Sequence, residues 1–490
     1  MKRTGSKSYR FILALLRLVV RAFFRRIVVT GTDNVPRVGG GVVVSWHPNG
    51  LVDPGLVLTQ FPRPIVFGAR HGVFKWPLLG TLMRSIGTVP IYRAADLPNL
   101  APAERAARNQ QSLEALARAV AEGSFSALFP EGLSHDQPHL APLKTGAARL
   151  YFQARSLQRE GDAPAVILPV GLHYDDKDLF RSSAYVEFFP PMELGDLAGD
   201  SDEERVRALT AEIERTLHDI VLATESWDLY RLMHRARKLV RAERAHRAGA
   251  NPGRVVIEER VAGFARIRAG YLARLDTHPE EVHELIRRVD EYDADLRALG
   301  LDDHELDRAP RLASPWLAAL LLLQVAMVFL LLPPLLVVGL FVNAPAAIVL
   351  LAISRAVSRH KKDEATVKLL VGALLFPLTW IGAGIVAAQS HAHLQAAYPA
   401  LPDVPALSGI ALALLAALGG AAAVRYLRVA RETARAVRVR LTRALQRRAI
   451  ARLRSERAEL CDSVLALGEG LELPGAVLAD GRVVASLDLE

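Results

Sequence analysis

Cysteine is almost missing from this chain: Cys461, near the C-terminus, is the only one in 490 residues. Intrachain disulfides and a cysteine-ligated metal centre are thereby excluded, and a reducing, cytoplasm-facing catalytic unit is the simplest expectation. A cleavable secretory signal is also not recognisable. The N-terminal apolar stretch Phe11 to Phe24 is interrupted by Arg17 and Arg21, lacks a small-residue cleavage site, and is too short to span a bilayer comfortably. Its arginines, with Arg10, Arg25 and Arg26, flank Ile12, Leu13, Leu15, Leu16 and Leu18. That pattern suits a helix lying at the headgroup level with snorkelling arginines, or one packed on its own domain.

Basic charge is in excess, at net +9, which favours an anionic partner without saying which. The length allows two or three folded units. Residues 30–200 alternate strand-like and helix-like segments, the pattern of an α/β domain with a mixed sheet flanked by helices. The strand candidates are Gly40–Val44, Pro64–Phe67, Gly87–Ile91, Phe125–Phe129, Ala165–Val170 and Tyr185–Phe189, and Pro102–Glu122 reads as a helix stopped by Gly123. Residues 201–312 are charged and helical, a scaffold rather than a site.

From Pro315 polar residues almost disappear for about forty positions, roughly twice what one helical span needs at 1.5 Å per residue. A helical hairpin is expected there, turning at Pro333-Pro334 or at Asn343-Ala344-Pro345. Leu369–Gln389 and Leu407–Val424 suggest a second hairpin, so residues 313–424 are expected to hold about four membrane spans. Arg308 and Arg311, then Arg355, Arg359, Lys361 and Lys362, then Arg425, Arg428 and Arg431 all fall on one side of such a topology. By the positive-inside rule this is an integral membrane protein with its α/β domain in the cytoplasm. No charge interrupts the apolar runs, so the helices anchor rather than conduct. Residues 425–490 read as a basic helical tail, whose arginine-rich part, Arg425 to Arg457, is expected to lie against anionic lipid or to be a solvated coiled segment; binding to nucleic acid is not expected.

Chemistry concentrates at strand ends in the first domain. Ser45-Trp46-His47-Pro48-Asn49-Gly50-Leu51-Val52-Asp53 follows the first apolar run, offering a general base with a carboxylate to orient it. Arg93 follows Gly87–Ile91, where a guanidinium can grip a phosphate in two places. Phe129-Pro130-Glu131-Gly132-Leu133-Ser134 brings a carboxylate, a flexible glycine and a hydroxyl to a tight turn, and Ile167-Leu168-Pro169-Val170-Gly171 adds an apolar wall. Ser134 lacks the glycine-flanked elbow of a hydrolase nucleophile and reads as a turn hydroxyl or an acceptor contact. Lys144 is a phosphate ligand or an exposed helix lysine. His71, Lys75, His135, Asp136 and His139 lie nearby, but their spacing matches no metal-ligand motif.

The ordered set resembles the four motif blocks of the glycerolipid acyltransferases, over about residues 30 to 195. His47-Pro48-Asn49-Gly50-Leu51-Val52-Asp53-Pro54 with the Ser134–Leu150 run is most similar to the fungal-type glycerol-3-phosphate/dihydroxyacetone-phosphate acyltransferases. Looser similarity continues through Trp227–Leu239 and Glu291–His304. The resemblance implies transfer of an acyl group from a CoA or carrier-protein thioester to glycerol 3-phosphate, 1-acylglycerol 3-phosphate or dihydroxyacetone phosphate. It implies His47 and Asp53 as the catalytic pair, Arg93, Glu131, Gly132, Ser134 and Pro169 at the substrates, and neither metal nor cofactor. The rival expectation is a non-catalytic lipid-binding scaffold on the same fold. The family's common pattern has four residues between His and Asp, whereas Pro48–Val52 make five, the spacing of the fungal-type branch. On a straight helix such residues would lie about 120° apart, so the Pro48-Asn49-Gly50 turn has to bring Asp53 back to the imidazole.

Overall fold

The computed structural model describes residues 7–75, 77–93, 97, 99–177, 179–195, 201–250, 255–307, 315–331, 333, 336–357 and 361–484. Arg308, Arg311, Arg359 and Pro334, and the domain boundaries placed at 200 and 312, lie outside them. The chain divides into two compact units, Met1–Tyr230 with His360–Thr366, and Arg231–Arg359 with Val367–Glu490.

The first unit is built on a seven-stranded mixed sheet. Its strands are β1 (Arg26–Thr30), β2 (Gly41–Val44), β3 (Ile65–Arg70), β4 (Val89–Ile91), β5 (Phe125–Leu128), β6 (Val166–Tyr174) and β7 (Ser183–Phe188), in the spatial order 1-7-6-2-5-3-4. Strands β6, β2, β5, β3 and β4 run parallel, and only the β6–β7 pairing is antiparallel. The central strands are largely apolar, as a sheet covered on both faces requires; Val42, Val43 and Val44 are buried. Helices α1 (Lys7–Phe23), α2 (Val52–Gln60), α3 (Pro77–Ser85), α4 (Pro102–Ala121), α5 (Gly146–Leu157) and α6 (Asp202–Val221) complete the unit. Leu116 and Val120 of α4, Leu150 of α5, and Leu209 and Ile213 of α6 share one core with Val42, Val44 and Ile167. Ser201 and Glu204 cap α6 reciprocally, satisfying two otherwise orphaned donors.

Six of the strands fall on the expected apolar runs. The seventh, β1, is an edge strand just after α1 that the reading omitted; its short, half-buried Arg-Ile-Val-Val-Thr segment has no run of its own. Helix α1 has two apolar faces. Tyr9, Val20 and Phe23 are buried against the domain, while Phe11, Leu15 and Leu18 stay exposed beside Arg10, Arg17 and Arg21. Packing on its own domain therefore accounts for one face of this helix.

The second unit contains most of α7 (Trp227–Arg247), then α8 (Ile257–Leu275), α9 (Pro279–Leu299), α10 (Pro315–Ala326), α11 (Val337–Val357), most of α12 (Lys361–Ala397), α13 (Pro405–Leu445) and α14 (Arg447–Leu467). A small ribbon, β8 (Ala476–Val477) with β9 (Val483–Val484), follows. Three helical segments, Gly339–Val357, Glu364–Ala397 and Pro405–Leu445, are long and apolar enough to cross a membrane. Ala319–Leu330 is a shorter apolar helix, so the expected four spans become three long ones and a short one among the described residues. Asn343 and Pro345 lie inside α11, which removes them as the hairpin turn; of the other candidate, Pro333-Pro334, the second residue lies outside the described ones.

Small residues let these helices approach. Gly339 of α11 meets Gly419 of α13, and Gly384 of α12 meets Gly409 of α13; a Cβ at Gly419 would come within 2.7 Å of the Gly339 Cα. Asn343 donates from Nδ2 to the carbonyls of Gly339 and Ala416 at 2.8 Å and accepts from Trp380 Nε1 at 2.9 Å. The large apolar side chains Leu378, Ile381, Leu414 and Leu418 point outward, as lipid-facing positions do.

Part of the basic tail packs inward, which neither expectation included. Helix α13 carries the apolar and the arginine-rich parts without a break, and α14 packs Ile450, Leu453, Leu460 and Cys461 into a core with Leu239, Val289 and Tyr292. Arg457, 1% exposed, forks onto Asp307 at 2.7 and 2.8 Å and donates to Glu243 at 2.9 Å. A buried guanidinium needs this pairing, so the tail's charge serves packing as well as solvation.

Candidate active site

The C-terminal ends of parallel strands β2, β4, β5 and β6 deliver the motif residues to one edge of the sheet, where open α/β sheets place their ligands. His47 leaves β2 through a turn rather than a helix. Gly50 takes φ +46°, Val52 N bonds back to Asn49 O at 2.9 Å, and α2 starts only at Val52. Pro54 falls in the first turn of α2, where its missing N–H breaks no helical bond. Asp53, also in that turn, sits at the positive end of the helix.

This turn solves the spacing problem. Asp53 Oδ2 lies 2.8 Å from His47 Nδ1 and accepts from Asn49 N at 2.7 Å. Its Oδ1 accepts from the hydroxyl of Tyr174 at the end of β6. Asp53 is fully buried, whereas the His47 side chain is 18% exposed. With Nδ1 carrying the proton toward Asp53, Nε2 is the nitrogen left for a proton from outside. The imidazole stacks on Phe129 at 4.1 Å between centroids, and Trp46 Nε1 ties the start of the turn to Leu172 O in β6 at 2.9 Å. Burial, together with the adjacent Asp53 charge and hydrogen bond, pushes the Tyr174 phenol well above its ordinary range, so it stays a donor. Leu51 N donates to Thr366 Oγ1 at 3.1 Å, within the same unit.

Glu131 joins two motifs. Its Oε2 accepts from His47 N at 2.8 Å, and its Oε1 takes His135 Nε2 at 2.5 Å and Ala141 N at 3.0 Å. The carboxylate is 1% exposed with both oxygens engaged. Its bearing on an acceptor therefore runs through the turn it holds. Gly132, at φ +69°, lets the chain reverse there. Arg93 Nη1 donates to Gly132 O at 3.0 Å, and a Cβ on Gly132 would come within 2.8 Å of Lys144 Nζ. Two cations thus flank one glycine. Lys144 is exposed and lies in the loop before α5, not on the helix the sequence suggested. Arg93 is placed by α4: Asn109 bonds Tyr92 N and O at 2.8 Å, and Ser112 reaches Pro90 O at 2.7 Å. Ser134 is half-buried two residues beyond Gly132. Pro169 is buried within β6, aligned with Val44.

Tyr174, Asn49, His135 and Lys177 were not assigned roles by sequence. Only their contacts reveal them, although Tyr174 could be traced from β6 pairing with β2. Among the described residues no group of three or more His, Cys, Asp or Glu side chains is placed to hold a metal ion.

Residues 26–173 match the acyltransferase family, and residues 257–471 match the glycerol-3-phosphate acyltransferase 2 C-terminal domain. Together these two matches liken the chain to the glycerolipid acyltransferases. Within this family the second match is consistent with the fungal-type branch, and it runs through the charged helices, the apolar helices and α14. An uncharacterized acyltransferase of Schizosaccharomyces pombe is 22% identical over 61% of this chain and 55% of its own. Glycerol-3-phosphate O-acyltransferases 2 and 1 of Saccharomyces cerevisiae are 28% and 24% identical over 36% and 53% of this chain. Those matches take in 23% and 33% of the yeast proteins, so this chain aligns with about half or less of each relative's length.

Proposed function

We propose that the chain transfers a fatty acyl group from an acyl thioester to the hydroxyl of glycerol 3-phosphate or a related acceptor, 1-acylglycerol 3-phosphate or dihydroxyacetone phosphate, in phospholipid synthesis. The observation that carries this reading is the 2.8 Å contact between His47 Nδ1 and buried Asp53, with the opposite ring nitrogen left for the acceptor. His47 Nε2 takes the hydroxyl proton as the oxygen attacks the thioester carbonyl. The tetrahedral intermediate collapses, the C–S bond breaks, and the thiolate leaves with the proton from the imidazolium. Asp53 holds the tautomer and balances the transient positive charge. The substrate oxygen is itself the nucleophile, so no covalent enzyme intermediate forms.

Arg93 and Lys144 flank Gly132 and are the phosphate ligands in this reading, with Gly132 and Ser134 lining the acceptor turn that Glu131 holds. Fixing the phosphate fixes the hydroxyl against His47, the positional advantage on which direct transfer depends. Pro169 belongs to the apolar wall on the acyl side. The donor is the CoA or acyl-carrier-protein thioester, and no cofactor takes part.

The apolar helices hold the enzyme in the bilayer with the catalytic unit in the cytoplasm. Three facts support that orientation: Lys361 and Lys362 open α12, Arg425, Arg428 and Arg431 follow the apolar part of α13, and the α12–α13 connection carries no lysine or arginine. Thr366, close behind Lys361 and Lys362, belongs to the catalytic unit. The test is an acceptor panel on membranes carrying the full chain with palmitoyl-CoA. Thioester consumption that depends on one phosphorylated glycerol acceptor supports the reading; none with any of the three leaves the scaffold reading.

A further inference from the structure

We propose that Lys177 is a positioning residue that clasps the His47–Asp53 turn from outside, supplying the order that its five-residue spacing does not. The inference rests on the function proposed above. Lys177 lies three residues beyond Tyr174, where the chain leaves β6. Its Nζ donates to Pro48 O at 3.1 Å, and its own carbonyl accepts from Asn49 Nδ2 at 2.9 Å. Side chain and backbone of one residue therefore grip two successive residues of the turn.

The other end of the lysine is anchored. Nζ pairs with Asp136, in the loop that follows Glu131, and lies 5.9 Å from the Trp227 ring centroid. Trp227 Nε1 closes the circuit by donating to Asp136 O at 3.0 Å. The Lys177 side chain is 15% exposed, so these charge-assisted bonds are screened less than surface pairs. The ammonium already has a carbonyl, a carboxylate and a ring around it, which is the environment of a structural tie.

What the clasp controls is Asp53. Asn49 is fully buried, and its backbone N–H is one of the bonds that orient the Asp53 carboxylate. A turn with one residue more than the common pattern has an extra pair of dihedrals to fix before His47 and Asp53 meet. Lys177 fixes the turn at Pro48 and Asn49, and Tyr174 fixes the carboxylate itself. The exit of β6 thus holds both ends of the dyad.

The experiment compares the full-length membrane protein with Lys177→Met, Lys177→Arg and the double variant Lys177→Met/Asn49→Ala. It measures kcat and KM on the supporting acceptor with palmitoyl-CoA, and amide hydrogen exchange over residues 46–54. Lys177→Met is expected to lower kcat by about 10- to 100-fold while both KM values stay within about 2-fold, because geometry rather than binding is lost. Exchange over the turn should accelerate, Lys177→Arg should recover most of both losses, and the double variant should be little worse than Lys177→Met alone. A rise in acceptor KM at unchanged kcat would make Lys177 a phosphate ligand and overturn the proposal. Unchanged exchange in Lys177→Met would overturn it too. If the parent turns over no acceptor, the activity reading falls separately, and the exchange measurement alone still decides the clasp.

Discussion

Tyr174 donates its hydroxyl to Asp53 Oδ1, the carboxylate oxygen that His47 leaves free. With Asn49 N on Oδ2, the carboxylate has a protein donor on each oxygen besides the imidazole. A buried carboxylate held this way keeps its direction, and direction is what a general base needs from its partner.

Tyr174→Phe removes one bond to a charged group and leaves the ring packed on Phe24. Such bonds are worth about 1.5 to 3 kcal/mol, so kcat should fall about 10- to 100-fold if nearly all of that energy orients the dyad. Steady-state kinetics beside a thermal melt will show it. A rate equal to the parent's would mean that Asn49 N alone fixes Asp53.

Arg93→Ala and Lys144→Ala test the two cations beside Gly132. Each should raise the KM of a phosphorylated acceptor by about 10-fold, a loss of the size expected for one charge-assisted bond, while leaving the KM of the thioester unchanged. The comparison is made with acceptor and thioester varied separately. An effect on the thioester alone would reassign these residues to the donor.

Most of the sheet was legible because central strands covered on both faces read as plain apolar runs, and Pro102 with Gly123 bracket α4. The motif residues were legible because each lies just past such a run. Lys144 was misplaced because Lys-Thr-Gly-Ala-Ala-Arg-Leu reads as helical throughout, although the helix begins at Gly146. Tyr174 and Lys177 were illegible for a different reason. They meet the dyad's turn across more than a hundred residues, and only the β2–β6 pairing makes them neighbours. The burial of Arg457 was hidden because an arginine in a basic run shows nothing of the Glu243 and Asp307 that receive it.

Stability should fall in mild acid. Burial lowers the His173 imidazole to about 4, against an ordinary 6.5. His234, buried near Arg237, Lys238 and Arg260, is lowered further, to about 3. Both are neutral in the folded chain, so the unfolded chain binds more protons between these values and 6.5. The stabilisation is complete above pH 6.5 and is lost as pH falls toward 4, by up to about 3 kcal/mol for His173. Melting in detergent between pH 7.5 and 5 should show a falling midpoint, with a shallower fall in His173→Phe. Parallel curves would contradict the assignment.

Asn343→Leu tests the polar knot among the apolar helices. It leaves Trp380 Nε1 without its acceptor and removes two bonds to backbone carbonyls. Interhelical bonds in membranes are worth about 0.6 kcal/mol each and up to about 1.7, so a loss of about 1 to 3 kcal/mol is expected. Unfolding of the purified protein in increasing dodecyl sulfate measures it, and an unchanged midpoint would make the knot dispensable.

The central claim is that His47 is the base for direct acyl transfer. The most direct measurement is palmitoyl-CoA consumption with glycerol 3-phosphate by membranes carrying His47→Ala beside equal amounts of the parent. The account predicts a loss of about a thousandfold or more, the scale on which removing a catalytic base is felt. Equal rates in the two would contradict it.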